Sequence, residues 1–194
     1  LKTTNDILFQ KLKEKQSSNG GFSWFGVDNE NEYITRHILS GIGHLIKLNP
    51  ESVSKYEGIV KKGILYLDNK FEASKTNRVV NNDLHYLYTR SFFLKAHPLS
   101  KKQDSIVKLQ LADYKKNWLQ NSLYQKTILA LVLHRFDDKS FAKKIIEHLR
   151  ESVVLDDTKG MFWKENTNGY YWYQSSIELQ ALLIETFAEI DYKT

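Results

Sequence analysis

The sequence predicts an all-α fold built from stacked helical hairpins. Apolar residues recur at helical spacing along nearly the whole chain, and no convincing alternation of apolar and polar residues indicates a strand. Only two prolines and nine glycines interrupt the 194 residues, which argues against a loop-rich or fibrous protein. With 41% hydrophobic residues, the chain can bury a sizeable core, so we predict a single domain over residues 1–194.

Helical periodicity predicts eight helices, near residues 4–17, 33–48, 52–71, 82–96, 100–119, 122–136, 138–154 and 175–191. Two of them, 52–71 and 138–154, have one apolar stripe each and are therefore expected to lie on the outside. The stripes comprise Tyr56, Ile59, Val60, Gly63, Ile64, Leu67 and Phe71 in the first, with Lys61, Lys62, Asp68 and Lys70 facing away, and Ala142, Ile145, Ile146, Leu149 and Val153 in the second.

Other helices are apolar on almost every side. The segments 128–133 and 179–188 are of this kind, so both helices should be covered on most sides, while 34–48 and 84–96 are intermediate. Outer and inner helices thus alternate along the chain in four pairs. This alternation predicts an α/α toroid, in which two layers of helices are concentric. Since such rings usually have about six pairs, we expect an open arc of about four hairpins.

One aromatic motif occurs twice. Gly20-Gly21-Phe22-Ser23-Trp24-Phe25 precedes Tyr33-Ile34-Thr35-Arg36, and Gly160-Met161-Phe162-Trp163 precedes Tyr171-Trp172-Tyr173-Gln174-Ser175-Ser176-Ile177-Glu178. In each copy a glycine permits a sharp turn, aromatic residues fold back onto apolar surface, and Thr35 or Ser175 begins an apolar helix. We predict that Trp24 and Trp163 play equivalent structural roles, each packing its loop against the start of the next helix.

The chain resembles the helical thioester-type domain of bacterial α2-macroglobulin proteins, particularly the large Bacteroidetes forms. The resemblance is carried by these two motifs, by the helix that continues to Glu185, and by the run Tyr33-Ile34-Thr35-Arg36-His37-Ile38-Leu39-Ser40-Gly41-Ile42-Gly43-His44-Leu45. The resemblance spans most of the chain. It implies an α/α toroid among β-sandwich macroglobulin domains, in a long periplasmic or cell-surface protein that inhibits proteases by trapping them after bait cleavage.

The resemblance carries further expectations. Other macroglobulin domains of the same polypeptide and target proteases are the implied partners, and the chain, which begins Leu1-Lys2, is expected to be an excised piece of a longer protein. The family's thioester needs a Cys-x-Glu-Gln motif, whereas this chain has no cysteine. Either that motif lies upstream, or this member traps by conformation alone. The chain itself is therefore expected to be non-enzymatic, without a catalytic residue or cofactor.

An alternative is a carbohydrate-active α/α-toroid enzyme, such as a polysaccharide lyase or glycosidase. That activity requires an open aromatic cleft with two carboxylates about 5 to 10 Å apart. Glu178 is the best single candidate, because it begins an inner helix beside an aromatic cluster, although a glutamate in a first helical turn is usually a capping or dipole partner. The predicted partner or ligand surface consists of Tyr170, Tyr171, Tyr173 and Glu178.

Charge and ligand spacing argue against several other functions. The net charge is +5, but 23 of the 28 basic residues are dispersed lysines and five are arginines, so we predict no nucleic-acid binding. His37 and His44 are seven residues apart and cannot chelate one ion unaided, and we predict no metal site. No apolar run approaches the roughly 20 residues that span a bilayer, so no membrane insertion is expected.

Overall fold

The computed structural model describes residues 2–26, 29–76, 83–158, 160–167 and 175–191. The predicted all-α class is confirmed over these residues, where eight α-helices account for most of the structure. In chain order they are α1 (Lys2–Glu14), α2 (Glu32–Leu48), α3 (Val53–Thr76), α4 (Asp83–Ser91), α5 (Lys101–Lys116), α6 (Leu123–Arg135), α7 (Lys139–Glu151) and α8 (Ser176–Ile190). Short 3-10 helices at Pro50–Ser52 and Trp118–Gln120 precede α3 and α6.

The chain divides into two compact units, residues 1–104 and 105–194. In the first unit α2 packs against both α3 and α4, and in the second α6 packs against both α7 and α8. Each unit therefore has a central helix flanked by two others. The single domain predicted over residues 1–194 stays a prediction.

The core of the first unit is built around the contact of α2 with its neighbours. Leu39 and Ile42 on α2 are buried with Ile64 and Leu67 of α3. Two glycines permit this packing: a Cβ on Gly63 would lie 2.9 Å from the Leu39 side chain, and one on Gly43 would lie 2.5 Å from the Phe92 ring.

Within the Gly41-Ile42-Gly43 segment, only Gly43 therefore lies where a side chain would not fit. Gly41 is exposed, with no atom within 4 Å of the place where its Cβ would be. The two glycines are two residues apart and so point to different sides of the helix.

The stripe predicted for α3 is confirmed except at Tyr56, which is only half-buried, and the face predicted to point away is confirmed except at Asp68. Ile59, Val60, Gly63, Ile64, Leu67 and Phe71 are buried, and Lys61, Lys62 and Lys70 are exposed. Asp68 was expected to face away but is buried, because it accepts hydrogen bonds from Tyr86 Oη at 2.7 Å and Arg90 Nε at 3.1 Å. The ion pair and hydrogen bond compensate for the burial of the carboxylate.

In the second unit α6 is the buried helix that its composition predicts. All residues from Lys126 to Leu133 are buried, and Ser122 begins the helix with a complete capping box to Gln125. The stripe predicted for α7 is also confirmed, since Ala142, Ile145, Ile146 and Leu149 are buried in line. Val153 lies beyond the end of α7 and is only half-buried.

The prediction that α8 is covered on most sides is wrong. Leu183 and Thr186 are buried, but Ile177 is 80% exposed and Ile184 is 62% exposed on the opposite side of the helix. The apolar residues of a helix are buried only where other parts of the chain cover them. The described residues cover one face of α8.

A short antiparallel hairpin connects α7 to the loop before α8, where no strand was predicted. Strand β1 (Val154–Asp156) pairs with β2 (Gly160–Phe162), with Leu155 opposite Met161. Asp156 Oδ1 accepts hydrogen bonds from the backbone N and the Oγ1 of Thr158, which closes the turn. Three residues per strand are too few for an alternating pattern to be recognised.

Candidate functional site

The first aromatic motif is fixed to α2 through its backbone. Gly20 has φ +96°, and a Cβ there would lie 2.2 Å from the carbonyl oxygen of Lys62. Phe22 is fully buried, its N–H donates to Thr35 Oγ1 at 2.9 Å, and its carbonyl accepts from the N–H of Asn31 at 2.7 Å. The loop is therefore held by a buried ring, a threonine and a close backbone contact.

Two details of the prediction for this motif are wrong. Trp24 is 55% exposed, so the ring that anchors the loop is that of Phe22. The helix begins earlier than expected, since Asn31 is the N-cap and its side chain accepts from the N–H of Ile34 at 3.1 Å. Thr35 instead lies in the first turn and connects the helix to Phe22.

The second motif uses its tryptophan, as predicted. Trp163 is 4% exposed, and its Nε1 donates to the carbonyl of Leu149 at 2.7 Å. Its ring lies 5.6 Å from that of Phe187, so it packs against the end of α7 and the later part of α8, not against the start of α8 as expected. Ser175 is the N-cap of α8, but its side chain makes no capping hydrogen bond.

Three of the four residues predicted to form a partner or ligand surface, Tyr170, Tyr171 and Tyr173, lie outside the described residues. Glu178 lies in the first turn of α8 and is half-buried. This position suits the favourable interaction of a carboxylate with a helix N-terminus. The predicted surface stays a prediction.

Two other carboxylates of α8 converge on one arginine. Arg135 of α6 binds Glu189 through Nε at 2.8 Å and Nη2 at 2.7 Å, and Glu185 through Nη2 at 2.6 Å. Burial alone would lower the pKa of Arg135, but its hydrogen bonds and ion pairs with Glu189 and Glu185 raise it. Both glutamates are thus ion-pair partners of one guanidinium, and the cluster fastens α8 to α6.

Histidine and tyrosine side chains form a row between α2 and α4. His44 Nε2 lies 2.9 Å from Tyr88 Oη, and the ring of His85 lies 5.6 Å from that of Tyr33. Burial lowers the pKa of His85 to about 3, with smaller contributions from the charges of Arg36 and His37. His85 is therefore neutral at ordinary pH, which suits packing between helices.

Sequence reasoning missed a continuous apolar stripe on the outer face of α8. Ile177, Ala181, Ile184 and Ala188 are all exposed, and their spacing of four, three and four residues places them along one side of the helix. We call these four residues the α8 outer stripe. The sequence shows this spacing, but an all-round apolar helix gives no sign of which side stays uncovered.

Among the residues that the structure describes, no three His, Asp or Glu side chains are grouped so that they could hold a metal ion. Within the same ranges, no helix is both long and apolar enough to cross a membrane.

Comparison of the chain with protein-family models, with curated proteins and with solved structures finds no match.

Proposed function

We propose that this chain is a non-catalytic helical module of a bacterial α2-macroglobulin-like protein, in which it contributes to broad-spectrum protease trapping at the cell envelope. In this proposal the helices form an open arc of an α/α toroid that packs among macroglobulin domains of the same polypeptide. The exposed outer face of α8, with its four apolar residues in line, is the observation that carries the proposal, because such a face suits packing against another folded element.

Two further features support this role. Each of the two glycine-aromatic motifs that carry the family resemblance has one buried ring, Phe22 in the first copy and Trp163 in the second. Two carboxylates of the second unit, those of Glu185 and Glu189, are both bound to Arg135, and each of these glutamate side chains is only 17% exposed, which suits a structural role better than glycoside hydrolysis.

The test uses the full-length protein that contains this chain, incubated with trypsin. Trapping leaves a protease accessible to small substrates but not to large ones. We therefore expect trypsin to keep its activity on a chromogenic peptide and to lose most of its activity on casein. Catalytically inactive trypsin, which cannot cleave a bait, is the control and should not co-elute with the protein in gel filtration.

Equal loss of both activities would indicate an active-site inhibitor, and no loss of either would indicate no inhibition. Both results contradict the proposal. Release of reducing ends or unsaturated products from polysaccharides by the purified chain would instead establish the carbohydrate-active alternative.

A further inference from the structure

We propose that Lys126 and Lys144, together with His148, bind a phosphate group in the second unit of the chain. The inference goes beyond the proposed protease trapping and does not depend on it. It rests on a buried lysine without an anionic partner, on a second lysine held close to it by a tryptophan ring, and on a neighbouring lysine whose charge the fold does compensate.

Lys126 is a buried amine near the start of α6. The residue is 9% exposed, and its Nζ lies 3.4 Å from Nε2 of His148. Among the residues that the structure describes, no carboxylate forms an ion pair with this Nζ. Buried lysines are normally paired, because the burial of an uncompensated charge is costly. An anion from outside the chain would supply the compensation that the fold does not.

The contact with His148 does not supply it. An ammonium group has three donors and no acceptor, so Nε2 of His148 is the acceptor, and the proton of the imidazole ring is on Nδ1. An imidazole in this form brings no negative charge. It also occupies only one of the three N–H groups of Lys126, which leaves the other two for a further acceptor.

A second cation lies near the same histidine. Lys144 precedes His148 by four residues on α7, so the two share one face of that helix. The buried ring of Trp118 lies next to both: its centroid is 5.1 Å from that of the His148 ring and 5.9 Å from Lys144 Nζ. Within the described part of the chain Lys144 forms no ion pair, and neither do Glu147 and Glu151 of α7. Carboxylates of the same helix therefore do not neutralise Lys144.

Lys115 of α5 shows how the fold compensates a lysine in this region. Its Nζ also lies over an aromatic ring, 5.5 Å from the centroid of Phe141, but it binds Asp138 Oδ2 at 2.7 Å. Asp138 accepts a further hydrogen bond from the N–H of Phe141 as the N-cap of α7. Of the three lysines, Lys126 and Lys144 are the two without such a carboxylate.

The charge of the cluster selects a phosphate group. Two lysines match the roughly two negative charges that a phosphate monoester carries at neutral pH, whereas a carboxylate has one. A phosphate group also offers several acceptor oxygens to the N–H groups of Lys126 and Lys144, and lysine is a common phosphate ligand. The group can come from inorganic phosphate or from an organic monoester, and the experiment distinguishes these sources.

The experiment adds inorganic phosphate, phenyl phosphate or benzoate to the isotope-labelled chain of residues 1–194 and follows the indole N–H resonances by NMR. The Trp118 resonance should shift saturably with both phosphate compounds and not with benzoate. The indole N–H of Trp163 donates to the carbonyl of Leu149, so its resonance should stay in place and serves as the internal control. Tighter binding of phenyl phosphate would identify an organic monoester as the ligand, and equal binding would identify the phosphate group alone.

Variants locate the site. Lys126→Met keeps a long apolar side chain and removes the charge, so it should weaken phosphate binding about tenfold or more. Lys144→Met should weaken binding less, because Lys144 is exposed to solvent. Lys143→Met removes the same charge from the adjacent exposed residue of α7 and should leave binding unchanged.

Urea denaturation provides a second measurement. In phosphate-free buffer Lys126→Met should be at least as stable as the unchanged chain, because it removes an uncompensated buried charge. Added phosphate should raise the denaturation midpoint of the unchanged chain and not that of Lys126→Met.

Five results would overturn the proposal. They are no saturable shift of the Trp118 resonance, equal binding of benzoate, equal weakening by Lys143→Met, undiminished phosphate binding by Lys126→Met, and a Lys126→Met variant that is unfolded or less stable in phosphate-free buffer. The third would indicate non-specific attraction of anions, and the last would show that the chain itself compensates Lys126. Because the assay contains no protease, its failure would leave protease trapping untested, and a failure of trapping would leave phosphate binding intact.

Discussion

The two aromatic motifs have similar sequences but are anchored by different rings. In the first, Phe22 is buried and Trp24 is largely exposed, whereas in the second Trp163 is buried. The glycines differ as well. Gly20 is pressed against the backbone of α3, and Gly160 lies in open space at a hairpin turn.

The difference teaches that a glycine followed by aromatic residues indicates an anchored loop without indicating which ring anchors it. In the first motif the backbone of Phe22 is bonded to Thr35 and Asn31, which directs its ring inward. In the second, the β1–β2 hairpin sets the direction in which Trp163 leaves β2. Backbone pairing therefore selects the buried ring.

The largest change in stability is expected when either anchoring ring, that of Phe22 or that of Trp163, is removed. Phe22→Ala and Trp163→Ala should each lower the free energy of unfolding by about 3 to 5 kcal/mol, because each leaves a cavity in a packed core. Trp24→Ala should change it by no more than about 0.5 kcal/mol, since the side chain is largely exposed. Urea denaturation of the three variants measures this. A Trp24→Ala cost close to that of Trp163→Ala would show that the motifs are equivalent after all.

The next largest effect is the difference in stability between alanine substitutions at Gly20 and at Gly160. Both have positive φ, so alanine at either should cost about 1 to 2 kcal/mol in backbone strain. Gly20→Ala should cost about 1 to 3 kcal/mol more, because its Cβ would meet the carbonyl of Lys62, which is backbone and cannot rotate away.

Thermal or urea melts of Gly20→Ala and Gly160→Ala form the matched pair for this comparison. Equal destabilisation by the two substitutions would contradict the close contact between Gly20 and α3.

A smaller effect tests the hydroxyl groups at the start of α2 and α8. Thr35→Val should destabilise the protein by about 1 to 3 kcal/mol, because the buried N–H of Phe22 loses its acceptor. Thr35→Ser keeps that acceptor and serves as the control. Ser175→Ala should cost at most about 0.5 kcal/mol, since the Ser175 side chain makes no capping hydrogen bond. A Ser175→Ala effect as large as that of Thr35→Val would contradict this contrast.

The last effect is on pH dependence and concerns the first unit. The pKa of His85 is about 3 in the folded chain and 6.5 in its ordinary state, so below pH 6.5 the unfolded chain binds a proton that the folded chain does not. The contribution of neutral His85 is complete above pH 6.5 and is lost as the pH falls toward 3, by at most about 1.4 kcal/mol per pH unit.

His85→Phe removes this titrating group, so its denaturation midpoint should depend less on pH between 6.5 and 4 than that of the unchanged chain. Parallel pH profiles for the two proteins would show that His85 does not remain neutral when folded.

Much of the fold could be predicted from the sequence, because helical spacing is a local signal. Each of the eight predicted helices overlaps one of α1 to α8, and the buried stripes of α3 and α7 were identified almost residue by residue. The errors arose where a tertiary neighbour decides the outcome. Asp68 is buried because Arg90 and Tyr86 reach it, and the outer face of α8 is exposed because the described chain covers only the other face.

The candidate site was less predictable for the same reason. Glu178 could be placed at the start of α8 from sequence, but the convergence of Glu185 and Glu189 on Arg135 depends on residues 50 and 54 positions away along the chain. A partner at that separation is not visible in the pattern of a single helix.

The cluster of Arg135 with Glu185 and Glu189 has a consequence for how the chain folds. Glu185 and Glu189 are four residues apart on α8, and such like-charged neighbours destabilise an isolated helix by about 0.2 to 0.5 kcal/mol. Once α6 has formed, Arg135 converts this repulsion into attraction. We therefore expect α8 to acquire its helical order last in its unit, with α6 and α7 as its template, so that its exposed apolar face forms only after the rest of that unit has assembled.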